Sequence, residues 1–268
     1  MSFVGIAEIV LHERVGPEHY MMRVYAPELT GLAKPGQFVH VRVSNAADPL
    51  LRRPISLHGI DYEHGTVSLL YQVVGQGTRL LAEMKIGDEI DIMGPLGRGF
   101  LVPGGIENVL VIGGGIGVAP LFPLVQALKH YKVKQTVLLG ARTADYIIGS
   151  EQLASLGVKL EVATDDGSLG RHGLVTDLAE KHMKLAKPDY FYACGPNPML
   201  KQLLKAADTH GLDGQVSLEE RMGCGVGACL ACVCKTKTGG NRFAEGFEYK
   251  KVCNDGPVFR ADEVIIDG

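Results

Sequence analysis

The chain contains no tryptophan in 268 residues, and no excess of either charge. Its 27 Lys and Arg face 30 Asp and Glu, a formal net charge of −3. That balance excludes the basic surplus by which dedicated nucleic-acid and anionic-membrane binders hold their partners. No run of about 18 apolar residues occurs, so no transmembrane helix is expected. The opening stretch Ser2-Phe3-Val4-Gly5-Ile6 puts no basic region ahead of an apolar one, so no secretory signal is expected and a cytoplasmic location is. Disulfides are rare in that compartment, so clustered cysteines there point to a metal or a reactive thiol. Internal repeats and low-complexity segments are also missing.

The hydrophobic fraction of 46% and charged fraction of 21% suit a globular protein with ample core. Glycine is abundant, 35 residues, and falls in short clusters that read as turn chemistry. At roughly 150 residues per domain the length implies more than one, and the hydrophobic pattern divides the chain in three. Over 1–102 short apolar or β-branched runs at Ile6–Leu11, Met21–Tyr25, Phe38–Val43 and Val67–Val73 predict a small antiparallel β-barrel or sandwich, with a helix over Thr78–Met84 capped by Thr78. Over 103–213 apolar runs at Val109–Ile112, Thr136–Leu139, Leu160–Ala163 and Tyr190–Cys194 alternate with helical stretches at Leu121–Tyr131, Leu174–His182 and Met199–His210. That alternation predicts a doubly wound parallel α/β sheet, with Asn197 capping the last helix and Pro198 at its first position. The fold class is thus α+β and α/β, ending in a small cysteine-bearing segment over 214–268.

Six cysteines are present, Cys194, Cys224, Cys229, Cys232, Cys234 and Cys253, and five lie in the last 45 residues. Cys224, Cys229, Cys232 and Cys253 stand as C-x4-C-x2-C-x20-C. The first three match the plant-type [2Fe–2S] spacing, which also uses a distant fourth cysteine. Gly223, Gly225, Gly227 and Ala228 keep that loop free of bulk, so backbone amides can turn toward sulfur. A tetrahedral zinc site more often pairs cysteines two apart, and a redox dithiol needs only two. Cys234 is left as a core thiol.

Two further motifs carry phosphate chemistry. Arg52-Arg53-Pro54-Ile55-Ser56 sits at the end of one strand, and Leu70-Tyr71-Gln72 precedes a helix start at Gly77-Thr78. An Arg fork and a helix N-terminus together suit a flavin pyrophosphate. Gly113-Gly114-Gly115-Ile116-Gly117 follows a buried strand and opens a helix, the setting of a dinucleotide phosphate loop without the G-x-G-x-x-G pattern. Cys194-Gly195-Pro196 ends another strand of that sheet. Arg142 and Asp145 are both candidates for the ribose end and favour opposite cofactors. None of the nine His is assigned a catalytic role, and no catalytic acid or base is expected.

This order of motifs resembles the ferredoxin-reductase superfamily. The cysteine segment, with Cys253-Asn254-Asp255-Gly256-Pro257-Val258-Phe259, narrows the resemblance to the electron-transfer subunits of type B dihydroorotate dehydrogenases, over nearly the whole chain. The resemblance implies an oxidoreductase subunit with FAD at Arg53, Pro54, Ile55, Ser56, Leu70, Tyr71, Gln72, Gly77 and Thr78. It implies a [2Fe–2S] cluster at Cys224, Cys229, Cys232 and Cys253. NAD as substrate is expected near Gly113, Gly114, Gly115, Gly117, Cys194, Gly195 and Pro196. It also implies an FMN-containing dihydroorotate dehydrogenase catalytic subunit as partner, two of each in a heterotetramer, working in pyrimidine biosynthesis without nucleic acid or membrane. The rival readings are an NAD(P)H–ferredoxin-type reductase, the electron subunit of another redox complex, and a zinc-stabilised binding module.

Overall fold

The computed structural model describes residues 2–44, 48–240 and 245–267. Six strands close the first barrel: β1 (Phe3–Gly16), β2 (His19–Tyr25), β3 (Phe38–Arg42), β4 (Arg53–Asp61), β5 (Thr66–Gln72) and β6 (Glu89–Leu96). Their order is β1-β2-β5-β4-β3-β6, antiparallel throughout, and β6 closes on β1. Alternate residues fill the interior with Ile9, Leu57, Leu69 and Ile92, all buried. Two short helices interrupt the barrel, α1 (Pro27–Leu32) and α2 (Gln76–Glu83). α1 and β6 have no counterpart in the sequence reading.

The second unit begins with β7 (Asn108–Gly114), whose Val109 and Val111 face one side and Leu110 and Ile112 the other, all buried. A strand covered on both faces needs helices on both faces. These are α3 (Val118–His130), α4 (Ser150–Ser155), α5 (Val175–Leu185) and α6 (Asn197–His210). Between them run β8 (Lys134–Ala141), β9 (Lys159–Thr164), β10 (Arg171–His172) and β11 (Tyr190–Cys194), and β12 (Gly214–Ser217) lies parallel to β11. α3 starts three residues before the expected Leu121. Pro120 falls in its first turn, where a missing N–H costs nothing.

The chain then leaves for the cysteine segment. β13 (Val233–Lys237) and β14 (Phe247–Lys251) pair antiparallel. β15 (Val258–Arg260) returns to pair with β12, and β16 (Val264–Ile265) pairs with β13. The large sheet therefore reads β10-β9-β8-β7-β11-β12-β15 and takes two strands from beyond residue 213. Cys232, Val252, Cys253 and Phe259 share one apolar core with Leu110, Ile112 and Phe191. Among the described residues, the cysteine segment contributes to that core and forms no separate one.

Barrel and sheet are joined through β4 and α3. The His58 ring stacks on Phe122 at 4.9 Å between centroids, and its Nδ1 lies 3.2 Å from the Ala119 carbonyl. That contact sets the glycine-rich turn after β7 beside the start of β4.

Candidate functional site

A cleft of about 880 Å³ opens between barrel and sheet. Arg53, Pro54, Ile55 and Ser56 line it from the start of β4, and Leu70, Tyr71 and Gln72 from the end of β5. The two strands are antiparallel, so the start of one meets the end of the other. The arginine motif thus opens a strand, where the sequence reading had it close one.

The expected cap of α2 is also corrected. Gly75, not Thr78, is the N-cap, and Thr78 lies inside the first turn. The Thr78 hydroxyl accepts the Val74 and Gly75 amides at 2.9 and 3.2 Å and donates to the Gly75 carbonyl at 3.1 Å. Its oxygen is used to shape the turn, which leaves the first-turn amides of Gln76, Gly77 and Thr78 without intrahelical partners. Gly77 sits behind the cleft wall: a Cβ there would run into the Arg53 guanidinium. That guanidinium also donates to the Leu51 carbonyl. Arg fork and helix start therefore lie together, an arrangement that suits an anion. Arg52 is engaged elsewhere, its Nη2 donating to both Asp91 carboxylate oxygens at 2.8 and 2.7 Å. Tyr71 is buried, stacked on Tyr20 at 5.9 Å, with its hydroxyl 2.8 Å from His12 Nε2. Burial pushes its phenol well above the ordinary value.

A second cleft of about 690 Å³ lies at the carboxyl ends of β7, β8 and β11, where open α/β sheets bind ligands. Gly114, Gly115, Gly117, Gly195 and Pro196 line it. Gly115 takes φ +53°, and a Cβ on Gly117 would strike the Cys194 carbonyl. One glycine thus makes the turn and the other allows the crossover. Gly113 and Cys194 lie one layer down, paired with each other across β7 and β11. The Cys194 side chain is 1% exposed, and burial holds its thiol protonated far above the ordinary range. Of the two ribose-end candidates Arg142 reaches this cleft, together with Asp165; Asp145 is not among its lining residues.

The clefts share Gln72, Ile116 and Glu219. Glu219 was missed by the sequence reading, since no motif marks it. Its exposed surface is cleft surface, and desolvation raises its carboxyl above the usual carboxylate range. From Glu219 the cleft wall continues through Glu220, Arg221 and Met222 to the cysteine loop.

The β13–β14 hairpin explains the 20-residue gap between Cys232 and Cys253. Its strands bring back the ends of that span, and the Val252 amide donates to the Cys232 carbonyl at 2.9 Å. The thiols form two pairs. Cys224 and Cys229 each receive the other's backbone amide at 3.4 Å, and the Cys253 amide lies 3.4 Å from Cys232 Sγ. Two more amides, Ala228 to Cys224 Sγ at 3.3 Å and Gly227 to Cys253 Sγ at 3.1 Å, aim at sulfur. The Val226 amide, with those of Cys229 and Ala228, lowers the Cys224 thiol to about 6. Burial, with the facing Cys232 thiol, pushes Cys253 up to about 12. Two pairs of thiols, each with amides on sulfur, fit a two-iron cluster that takes two thiolates per iron. Cys234 stands in β13, raised to about 12 chiefly by burial, outside both pairs.

Three family models cover most of the chain. The iron-sulfur cluster binding domain of dihydroorotate dehydrogenase B matches residues 219–265, an oxidoreductase NAD-binding domain 111–205 and an oxidoreductase FAD-binding domain 7–100. The electron transfer subunit of dihydroorotate dehydrogenase B (NAD(+)) from Desulforamulus reducens is 45% identical over 99% of both chains. The chain belongs to this family. Its counterpart from Bacillus caldolyticus is 47% identical over 91% of this chain and 93% of its own. Among solved structures, a chain of the NADH-dependent reduced ferredoxin-NADP oxidoreductase superposes with a TM-score of 0.85 at 34% identity, covering 98% of this chain and 90% of that one. The ferredoxin reductase of carbazole 1,9a-dioxygenase, at 21% identity and TM-score 0.68, shares the fold. Along this chain the matches to flavin-, nicotinamide- and iron–sulfur-binding modules follow in that order. No helix among its described residues is long and apolar enough to cross a membrane.

Proposed function

We propose that this chain is the electron-transfer subunit of an NAD-dependent dihydroorotate dehydrogenase. It would pass electrons from the FMN of a separate catalytic subunit, through a [2Fe–2S] cluster and FAD, to NAD, in a complex of two copies of each chain. The observation that carries this reading is continuity. The four-cysteine loop follows Met222, itself part of the flavin cleft wall, and that cleft shares Glu219 with the cleft over the glycine-rich turn.

The division of labour in this reading is 1–102 for FAD, 103–213 for NAD and 214–268 for the cluster, with β12 and β15 of the last segment completing the large sheet. When bound, the flavin exchanges hydride pairs for single electrons and the cluster relays single electrons. The chain's own residues bind and orient. Arg53 and the first-turn amides of α2 hold the flavin pyrophosphate, while Tyr71, fixed by His12 and Tyr20, sets one wall. Gly114, Gly115 and Gly117 let a pyrophosphate approach the start of α3. Cys224, Cys229, Cys232 and Cys253 hold the cluster, the first pair nearer solvent and the second buried. Cys194 is buried beneath the nicotinamide cleft, its thiol held protonated by burial.

One observation favours a second reading, the electron subunit of another redox complex. It is the 34% identical chain of an NADH-dependent ferredoxin-NADP oxidoreductase. Cofactor analysis tests what both readings share: FAD plus about two iron and two acid-labile sulfide per chain are expected. Stoichiometric zinc without sulfide would sink both. Coupling to a dihydroorotate dehydrogenase catalytic subunit separates them.

A further inference from the structure

Along β3 the side chains alternate. Val39 and Val41 enter the barrel core, whereas Phe38 and His40 point outward, and Phe38 joins the core that holds Cys232 and Cys253. His40 pairs with Pro54 of β4 and with Met93 of β6. Directly opposed residues share a face of the sheet, so His40 stands on the outer face beside Pro54, a wall of the flavin cleft. On its other side the ring abuts the cysteine loop. A Cβ on Gly225, the residue after Cys224, would lie 2.5 Å from His40 Nδ1.

The ring is 1% exposed, and neither nitrogen has a hydrogen-bond partner. The carbonyls of Arg52 and Cys224 face it without completing an acceptable geometry. Burying an imidazole with both nitrogens unsatisfied is costly, so the ring calls for an acceptor. The acceptors that this loop is built to carry are sulfurs, and Cys224 leads it. We propose that His40 donates a ring N–H to the sulfur face of the cluster at Cys224 and thereby raises the potential at which that centre takes an electron. A donor aimed at sulfur favours the extra negative charge of the reduced state. His40 thus stands between the outer face of the barrel beside Pro54 and the cysteine loop at Gly225. The inference rests on the [2Fe–2S] reading above.

The test uses the intact complex, labelled with ¹⁵N-histidine and chemically reduced. Pulsed electron-spin measurements should show a histidine nitrogen coupled to the cluster spin, and the coupling should vanish in His40→Gln. In redox titrations His40→Leu should shift the cluster's reduction equilibrium about tenfold toward the oxidised form, 59 mV for a one-electron couple. His40→Gln keeps an amide N–H and should recover most of that shift, with the flavin couple unmoved in both variants. If His40→Leu does not fold, the labelled wild type and His40→Gln decide alone. A reduced cluster with no histidine coupling overturns the proposal, as do equal shifts in the Leu and Gln variants. Absence of any cluster spin or sulfide overturns the underlying reading instead.

Discussion

Replacing Gly77 with Ala probes the pairing of Arg53 with the helix start without touching a charged group. The new Cβ would occupy the space of the Arg53 guanidinium, which must swing out of the cleft. Gly77 has ordinary helical backbone inside α2, and Ala favours a helix over Gly by about 1 kcal/mol. The fold should therefore hold while the arginine moves. Charge-assisted hydrogen bonds contribute about 1.5–3 kcal/mol. Arg53 is half-exposed, which places its phosphate contact toward the lower end, about 2 kcal/mol, or roughly thirtyfold in FAD affinity. Arg53→Ala should lose that factor, and Gly77→Ala a large part of it. The double variant should lose no more than Arg53→Ala alone, because both changes remove one interaction. Quenching of flavin fluorescence during titration of the flavin-free protein measures each value, with iron and sulfide content as the control. Wild-type affinity in Gly77→Ala, or losses that add in the double variant, would refute the coupling of Arg53 to the helix start.

Two further outcomes follow from the site. Cys253→Ser should lose the cluster or leave it labile, whereas Cys234→Ser should keep about two iron and two sulfide per chain; bleaching of the Cys234 variant alone would show the ligand set to be wrong. Glu219 has a carboxyl pKa raised by burial, so its folded form prefers the proton. The stability it contributes is complete below the ordinary value of 4.5 and declines as pH rises through the raised one. Glu219→Gln should then gain on wild type in urea midpoint as pH rises above 4.5, and a gap that stays constant would contradict the raised carboxyl.

The parts legible in the sequence were those written locally. The C-x4-C-x2-C spacing lies within nine residues, and its glycines are needed where they stand: Gly225 and Gly227 adopt φ +71° and +82°. The glycine-rich turn was legible for the same reason. Helix starts were misplaced by one to three residues because capping depends on backbone angles that residue type does not settle. Pro196, at φ −57° and ψ 144°, is the cap of α6, and Asn197 is already helical. β12 and β15, of 4 and 3 residues, are too short to show a period. They are strands because the edge of the parallel sheet pairs with them. Glu219 and His40 carry no local signal at all, and their place comes from contacts between segments far apart in the chain.

The central claim is that the chain relays electrons for a partner and has no dihydroorotate site of its own. The direct test is a steady-state assay of dihydroorotate-dependent NAD reduction by the rigorously purified single chain, repeated after adding an FMN-containing dihydroorotate dehydrogenase catalytic subunit. The account predicts that the chain alone passes electrons from NADH to dyes but does not couple dihydroorotate to NAD, and that the added subunit binds stably and restores coupling. Coupling by the single chain, or no coupling in the mixture, would contradict it.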